Sequence, residues 1–405
     1  MTRMALLPLE TTLESAADGG LYGSTSGGAT THKTKDSAVT HRSNATTQSA
    51  TAMEEATTML SSSSSSSASP TTRPRACSNS KEFAATLLER YHQATSTKMY
   101  DVEELVDYYF HRRLAAFTAV VISYLPFVIT PNQITVFGLF LGWGAATCLY
   151  DSEFHEPLGW DPKESLFAAG MLMFLWIVSD CADGQVARLC KRGTRTGRIL
   201  DGCVDGLVIA PNCYILGLLC SNRYGENYMP LCWFAGLSLW IHALVYDKIK
   251  NVYMENALPQ SECDGETVES VTKEYQEAKA KDPYSLDTIL LGVYVVYLTV
   301  QGAATSDAAT KAEATRYVML AKCNDHYRAG YINKYSYVVR VASFMGISAH
   351  VVGFYVAYFV AIYYWDALYY VQLYFGVVLN AVFATVLVLY FKSGMASQQP
   401  LNTAM

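Results

Sequence analysis

Charge is scarce in this sequence. Of its 405 residues, 16% are Asp, Glu, Lys or Arg, against about 25% in an ordinary soluble domain. A chain of this length built only from soluble domains is therefore not expected. Paired cysteines are also missing. Ten cysteines occur, but none forms a CxxC pair or a zinc-ligand spacing, which excludes a zinc-finger or thioredoxin-type site. Cys148, Cys181, Cys190, Cys203, Cys213, Cys220 and Cys232 lie in or beside apolar segments and read as small core hydrophobes. No basic arm or basic–aromatic stripe is present, so no nucleic-acid partner is expected. The opening stretch lacks the run of about 7–15 apolar residues of a signal peptide, and Glu10 and Glu14 argue against a transit peptide.

Apolar residues make up 51% of the chain and aromatics 13%. They are unevenly spread. Residues 1–80 are polar, with an unbroken serine run from Ser61 to Ser67. Such a segment buries too little surface to offset its ordering entropy, so a disordered tail is expected. Residues 81–129 read as a helical juxtamembrane segment that lies along the membrane surface, broken by Thr130-Pro131-Asn132. A membrane-spanning helix needs about 20 largely apolar residues. Runs of that kind occur at 132–150, 166–187, 199–220, 228–247, 338–364 and 367–391. The expected fold is all-α: an integral membrane bundle of about six transmembrane helices preceded by an interfacial amphipathic helix. The transmembrane domain covers 130–391, with an insert at 248–335 and a C-terminal tail at 392–405. A shorter apolar run, Leu286 to Val300, reads as interfacial or re-entrant.

Charge orients the bundle. The loop 151–165 carries Asp151, Glu153, Glu156, Asp161 and Glu164, whereas Arg188, Lys191, Arg192, Arg195 and Arg198 follow the second span. The excess of basic residues places the second loop, both termini and the insert in the cytosol.

Four acids stand out against this apolar background. Asp180 and Asp183 lie three apart at the end of the second span; Asp201 and Asp205 lie four apart at the start of the third. Each pair shares one helix face, and the short basic loop between the helices makes them antiparallel neighbours. The four carboxylates therefore converge near the cytosolic side. Each would cost about 2.5–3.5 kcal/mol at the centre of a span. A divalent cation turns this liability into a site, because it becomes the largest local charge. Oxygen ligands suit Mg²⁺ or Mn²⁺. Gly184, Ala187 and Gly197 leave a shallow face where a nucleotide can approach the backbone, and Arg188 can bind a phosphate bidentately.

The pattern D-x2-D-G-x2-A-R-x8-G-x3-D-x3-D, from Asp180 to Asp205, resembles the signature of the CDP-alcohol phosphotransferases at every defined position. Thr130-Pro131-Asn132-Gln-Ile-Thr135 is similar to the motif that precedes that family's first span. The resemblance implies a membrane transferase of phospholipid biosynthesis. It implies that Asp180, Asp183 and Asp201 hold one or two divalent ions, beside Asp205. Asp205 would be the base that deprotonates the acceptor hydroxyl. Gly184, Ala187, Arg188 and Gly197 would line the CDP site, with Asn132 and Thr135 contributing. It also implies a homodimer. Gln185-Val186 and Gly202 depart from the amino-alcohol type. The expected donor is therefore CDP-diacylglycerol, the acceptor inositol or glycerol-3-phosphate, and the by-product CMP. The Ser-rich tail suggests a location in the endoplasmic reticulum or a related endomembrane.

Two other functions compete. One is choline or ethanolamine transfer onto diacylglycerol. The other is a transporter using intramembrane carboxylates, although no inverted repeat of the acidic pattern is present. A prenyltransferase would lack its second Asp-rich motif. Gly202 and Gly206 read as close-packing positions, His242 and His350 as packing or hydrogen-bonding residues. Arg195 and Arg198 stand equally as basic loop charges or as ligands of an acceptor phosphate.

Overall fold

Capping chemistry at Thr130 starts the transmembrane domain. Its hydroxyl accepts from Gln133 N–H (3.3 Å), while Gln133 Oε1 accepts from Thr130 N–H (2.9 Å), and Pro131 fills the first helical turn. This reciprocal cap and N-terminal proline turn the chain from the segment before it into a 24-residue helix. In the computed structural model the described residues are 80–96, 99–126, 128–259, 268–303 and 325–395. The expected tail 1–80, all but its last residue, and the chain beyond Met395 fall outside them.

The described residues form helices and no strands. The helices are α1 (Ser80–Thr95), α2 (Arg112–Tyr124, entered through a π turn at Asp107–His111), α3 (Pro131–Phe154), α4 (Pro162–Leu189), α5 (Arg195–Tyr224) and α6 (Met229–Ala257). They continue with α7 (Val268–Lys281), α8 (Leu286–Ala303), α9 (Asp325–Ala342), α10 (Ile347–Ala361), α11 (Ala367–Leu373) and α12 (Leu379–Lys392). Six segments are long and apolar enough to cross a membrane: α3, α4, α5, α6, α9–α10 and α11–α12. This is a multi-pass integral membrane protein. Its outer surface agrees with that: Trp233, Leu237 and Trp240 recur at helical spacing on α6 and are all more than half exposed, a stripe that only lipid satisfies. The helix α6 runs ten residues beyond the span read from the sequence, and α9 begins at Asp325.

Helices α3, α4 and α5 form the packed centre. Gly142 on α3 meets the Val208 side chain of α5 so closely that a Cβ there would overlap its methyl groups. Small residues of this kind let backbones approach where lipid supplies no hydrophobic drive. Pro211 inside α5 removes an N–H, freeing the carbonyl four residues earlier. That carbonyl, Leu207 O, accepts from Trp143 Nε1 at 3.0 Å. Next to it, Asn212 donates to Val208 O and Gly142 O and accepts from Tyr358 O–H. The backbone around Pro211 is thereby satisfied without water, as a membrane interior requires.

The fifth crossing is interrupted between α9 and α10 by a 3₁₀ turn, Ser343–Met345, and Gly346. Irregular backbone at such depth is tolerated where protein covers it. Here Glu104, from the segment before α2, accepts from Ser348 N–H at 2.9 Å. A Cβ at Gly346 would collide with the Glu104 carboxylate.

Asp151 was counted as a loop charge. The fold buries it completely. It accepts from the N–H groups of Leu158 (2.9 Å), Gly159 (2.7 Å) and Trp160 (3.1 Å) and from Ser165 O–H (2.6 Å), tying the α3–α4 loop to the helix ends. Asp151→Ala leaves these donors without an acceptor. It is expected to destabilise the protein by roughly 3–5 kcal/mol, read as a lowered thermal midpoint in detergent against a wild-type-like Glu153→Ala.

Candidate active site

The site grows from the antiparallel pair α4–α5. Thr194 caps α5 by accepting from Gly197 N–H (3.0 Å), which sets the helical phase so that Asp201 and Asp205 face α4. Asp180, Asp201 and Asp205 each present a carboxylate oxygen, all within 4.8 Å of one another. Asp183, nearly buried, follows a different course. Thr135 O–H donates to its Oδ2 in a close contact. Thr135 is itself buried on the first turns of α3, so the cap at Thr130 delivers this hydroxyl to the site. Asn132, on the same turn, meets Gly197: a Cβ there would lie 2.9 Å from Asn132 Oδ1. The two helix-start residues and the two motif helices thus form one constellation.

A divalent cation suits this donor set. Asp201 Oδ1 and Asp205 Oδ1 are buried and have no hydrogen-bond partner among the described residues. Orphaned carboxylate oxygens facing one another are costly unless a cation bridges them. Oxygen-only ligands match a hard divalent ion.

Gly184 opens the face beside the acids. A Cβ there would meet only Arg188 Nη1, at 3.6 Å, so the guanidinium folds back over the glycine. Among the described residues Arg188 has no hydrogen-bond or ion-pair partner. Ala187 lies one turn beyond Gly184 on the same face. Gly202 and Gly206 have no atom within 4 Å of an added Cβ. They are not close-packing positions, because the helix face they occupy is open.

Several charged groups around the site escaped sequence reasoning. Asp101, Glu103 and Glu104 stand close together in the sequence, yet each has its own partner. Asp101 meets Arg340 (3.3 Å) and accepts from Tyr253 O–H (3.1 Å). Glu103 pairs with Arg112. Glu104 caps α10. Asp107 binds His111 Nδ1 at 2.7 Å and the Ser348 hydroxyl, and His111 Nε2 lies 3.3 Å from the Tyr355 hydroxyl. The one available signal was the density of acids just before an apolar helix.

Burial, reinforced by Asp107, pushes the Glu104 carboxyl up to about 8. The folded protein then holds a proton between pH ~4.5 and ~8 that the unfolded chain has released. Stability from this group is full at the lower limit and is lost as pH rises towards 8. Glu104→Gln is expected to flatten the thermal midpoint across that window, with the parent declining more steeply.

His242, His350 and Arg195 each have a partner in the fold. His242 and His350 face each other at 3.4 Å in the bundle, and His350 Nδ1 lies 2.8 Å from Gly346 O. Arg195 is ion-paired with Glu274 of α7. Among the described residues seven cysteines are free.

Residues 128–263 match the family model described as CDP-alcohol phosphatidyltransferase, a transferase family. Two similar proteins come from Mycobacterium bovis and Mycobacterium tuberculosis, each named as a candidate cardiolipin synthase. Both are 37% identical over 73 residues, covering 15% of this chain and 35% of each relative. The chain thus spans about a third of the length of the curated relatives it matches.

Proposed function

We propose, from the CDP-alcohol phosphatidyltransferase domain at residues 128–263, that this protein transfers a phosphatidyl group from CDP-diacylglycerol to a small hydroxyl acceptor and releases CMP. The observation that carries this reading is the convergence of Asp180, Asp201 and Asp205 within 4.8 Å, beside a glycine-lined face and an unpaired arginine. The relatives are named for making cardiolipin, itself a phosphatidyl lipid, which favours the lipid-linked donor.

In this reading Asp180, Asp183 and Asp201 hold Mg²⁺ or Mn²⁺, with Thr135 fixing the Asp183 carboxylate. A bound divalent ion neutralises the pyrophosphate and stabilises the charge that develops on departing CMP. The face around Gly184 and Ala187 admits the cytidine end of the donor. Arg188 binds a phosphate oxygen, and Gly197 leaves room for Asn132 to border the nucleotide. Asp205 takes the proton of the acceptor hydroxyl. The acceptor oxygen forms a bond to the phosphorus bearing diacylglycerol. The bond from that phosphorus to the bridging oxygen breaks, and CMP leaves with the electron pair. The basic loop after α4 orients the site towards the cytosol, on an endomembrane such as the endoplasmic reticulum.

The test is CMP release by purified protein from labelled CDP-diacylglycerol with Mn²⁺ and, in turn, inositol, glycerol-3-phosphate, choline and ethanolamine. The expected result is release with inositol or glycerol-3-phosphate above choline and ethanolamine. No release with any acceptor, or with CDP-choline and diacylglycerol supplied instead, would sink the reading.

A further inference from the structure

The matched motifs lie on α3, α4 and α5, and the juxtamembrane helix α2 brings a second guanidinium beside Arg188. At about 100° per residue, Cys181, Gln185 and Arg188 form one stripe of α4, flanking the Gly184 face. Helix α2 packs on this stripe. Gln185, fully buried, donates from Nε2 to the carbonyl of Arg112 at 2.8 Å. This bond joins the motif helix to the first residue of α2 and fixes where the Arg112 side chain begins. That side chain is 15% exposed and ion-paired with Glu103, which is 21% exposed.

The charge balance of this corner is incomplete. Arg112 and Arg188 are close enough that Arg112 is the foremost charge acting on Arg188, so two like charges are held together in a partly buried place. Glu103 pairs with Arg112 and is also the foremost opposite charge acting on Arg188, whose guanidinium makes no ion pair or hydrogen bond of its own among the described residues. Neighbouring guanidiniums in a low-dielectric setting repel unless an anion joins them. The nearest face is that of Gly184, over which Arg188 Nη1 already lies. A diphosphate has two phosphoryl groups, each able to accept a guanidinium fork.

The geometry points to Arg112 as a second donor-binding residue, which with Arg188 grips the diphosphate of the CDP donor while Glu103 holds its guanidinium in readiness. This rests on the transferase reading above. Glu103 then competes with the ligand, because the carboxylate and the phosphate claim the same guanidinium. The two substitutions therefore act in opposite directions. Losing a charge-assisted bond to phosphate weakens binding about tenfold or more, whereas removing the competing carboxylate tightens it.

The experiment measures CDP affinity by titration calorimetry in detergent with Mn²⁺ for the parent, Arg112→Gln, Arg112→Lys and Glu103→Gln. We expect Kd to rise at least about tenfold in R112Q, to recover in part in R112K, and to fall several-fold in E103Q. General damage to the site would weaken binding in R112Q and E103Q alike. E103Q keeps Arg112, so its tightening remains readable even if R112Q does not fold. An R112Q Kd within about twofold of the parent, or an E103Q protein that binds no tighter than the parent, overturns the assignment. A parent that binds no CDP with Mn²⁺ overturns the transferase reading itself, and the assignment with it.

Discussion

Asp205→Asn is expected to lower CMP release by roughly 10²–10⁴-fold, the range of a lost general base, while Mn²⁺-dependent CDP binding stays within about twofold of the parent. Asn keeps the volume and one acceptor oxygen but cannot take a proton. Asp205 Oδ1 is buried and has no partner among the described residues, and the carboxyl's hydrogen bond with Asp180 is one that an Asn amide N–H can keep. The remaining acids, Asp180, Asp183 and Asp201, still offer three carboxylates to a cation. Parallel assays of turnover and CDP affinity decide the matter. A variant that turns over at the parent rate, or that loses CDP binding in proportion to activity, contradicts a role as base.

Asp201→Asn is expected to behave differently. Asp201 stands opposite both α4 acids and has an orphaned buried oxygen of its own. Its loss should abolish metal-dependent effects. In the parent, saturating Mn²⁺ is expected to raise the thermal midpoint by several degrees, since a ligand at ~100 times its Kd adds about 2.7 kcal/mol. In Asp201→Asn that rise should disappear, together with activity. Without metal the variant should equal or exceed the parent in stability, because one carboxylate has been removed from a repelling cluster. A full Mn²⁺-induced rise in Asp201→Asn would show that the cation, if bound, is held elsewhere.

The centre of this site was legible in the sequence because its geometry is local. Asp180 with Asp183, and Asp201 with Asp205, share faces of consecutive helices, and a five-residue connection between α4 and α5 leaves those faces no choice but to meet. The six crossings were legible for a similar reason, since each is a continuous apolar run. What the spacing did not carry is tertiary. Glu104 meets Ser348 across 244 positions and Gln185 meets the Arg112 carbonyl across 73, distances over which no periodicity links residues. The broken fifth crossing was read as one uninterrupted run, because Ser343, Met345 and Gly346 are compatible with helix. The carboxylate arriving from Glu104 and the His350 ring at Gly346 O satisfy the backbone of the break. Asp151 illustrates the reverse error, since a charge in an acidic loop resembles its exposed neighbours until four donors are found around it.

The small residues divide along the same line. Gly197 was grouped with Gly184 as nucleotide-facing, and its neighbour proves to be Asn132, a residue named for a separate motif. That contact ties the start of α3 to the start of α5, so the two sequence motifs are parts of one construction. Gly202 and Gly206, read as packing positions, open onto empty space because the α5 face that bears them is left uncovered by the described helices.

The central claim is that Asp180, Asp183 and Asp201, with Asp205 beside them as the base, hold a divalent cation that in turn receives a cytidine diphosphate group. Titration of the purified parent with CDP, once with Mn²⁺ and once with excess EDTA, tests it most directly. Saturable binding with Mn²⁺ that vanishes in EDTA is the predicted result. CDP binding of equal strength in both, or no binding in either, would contradict it.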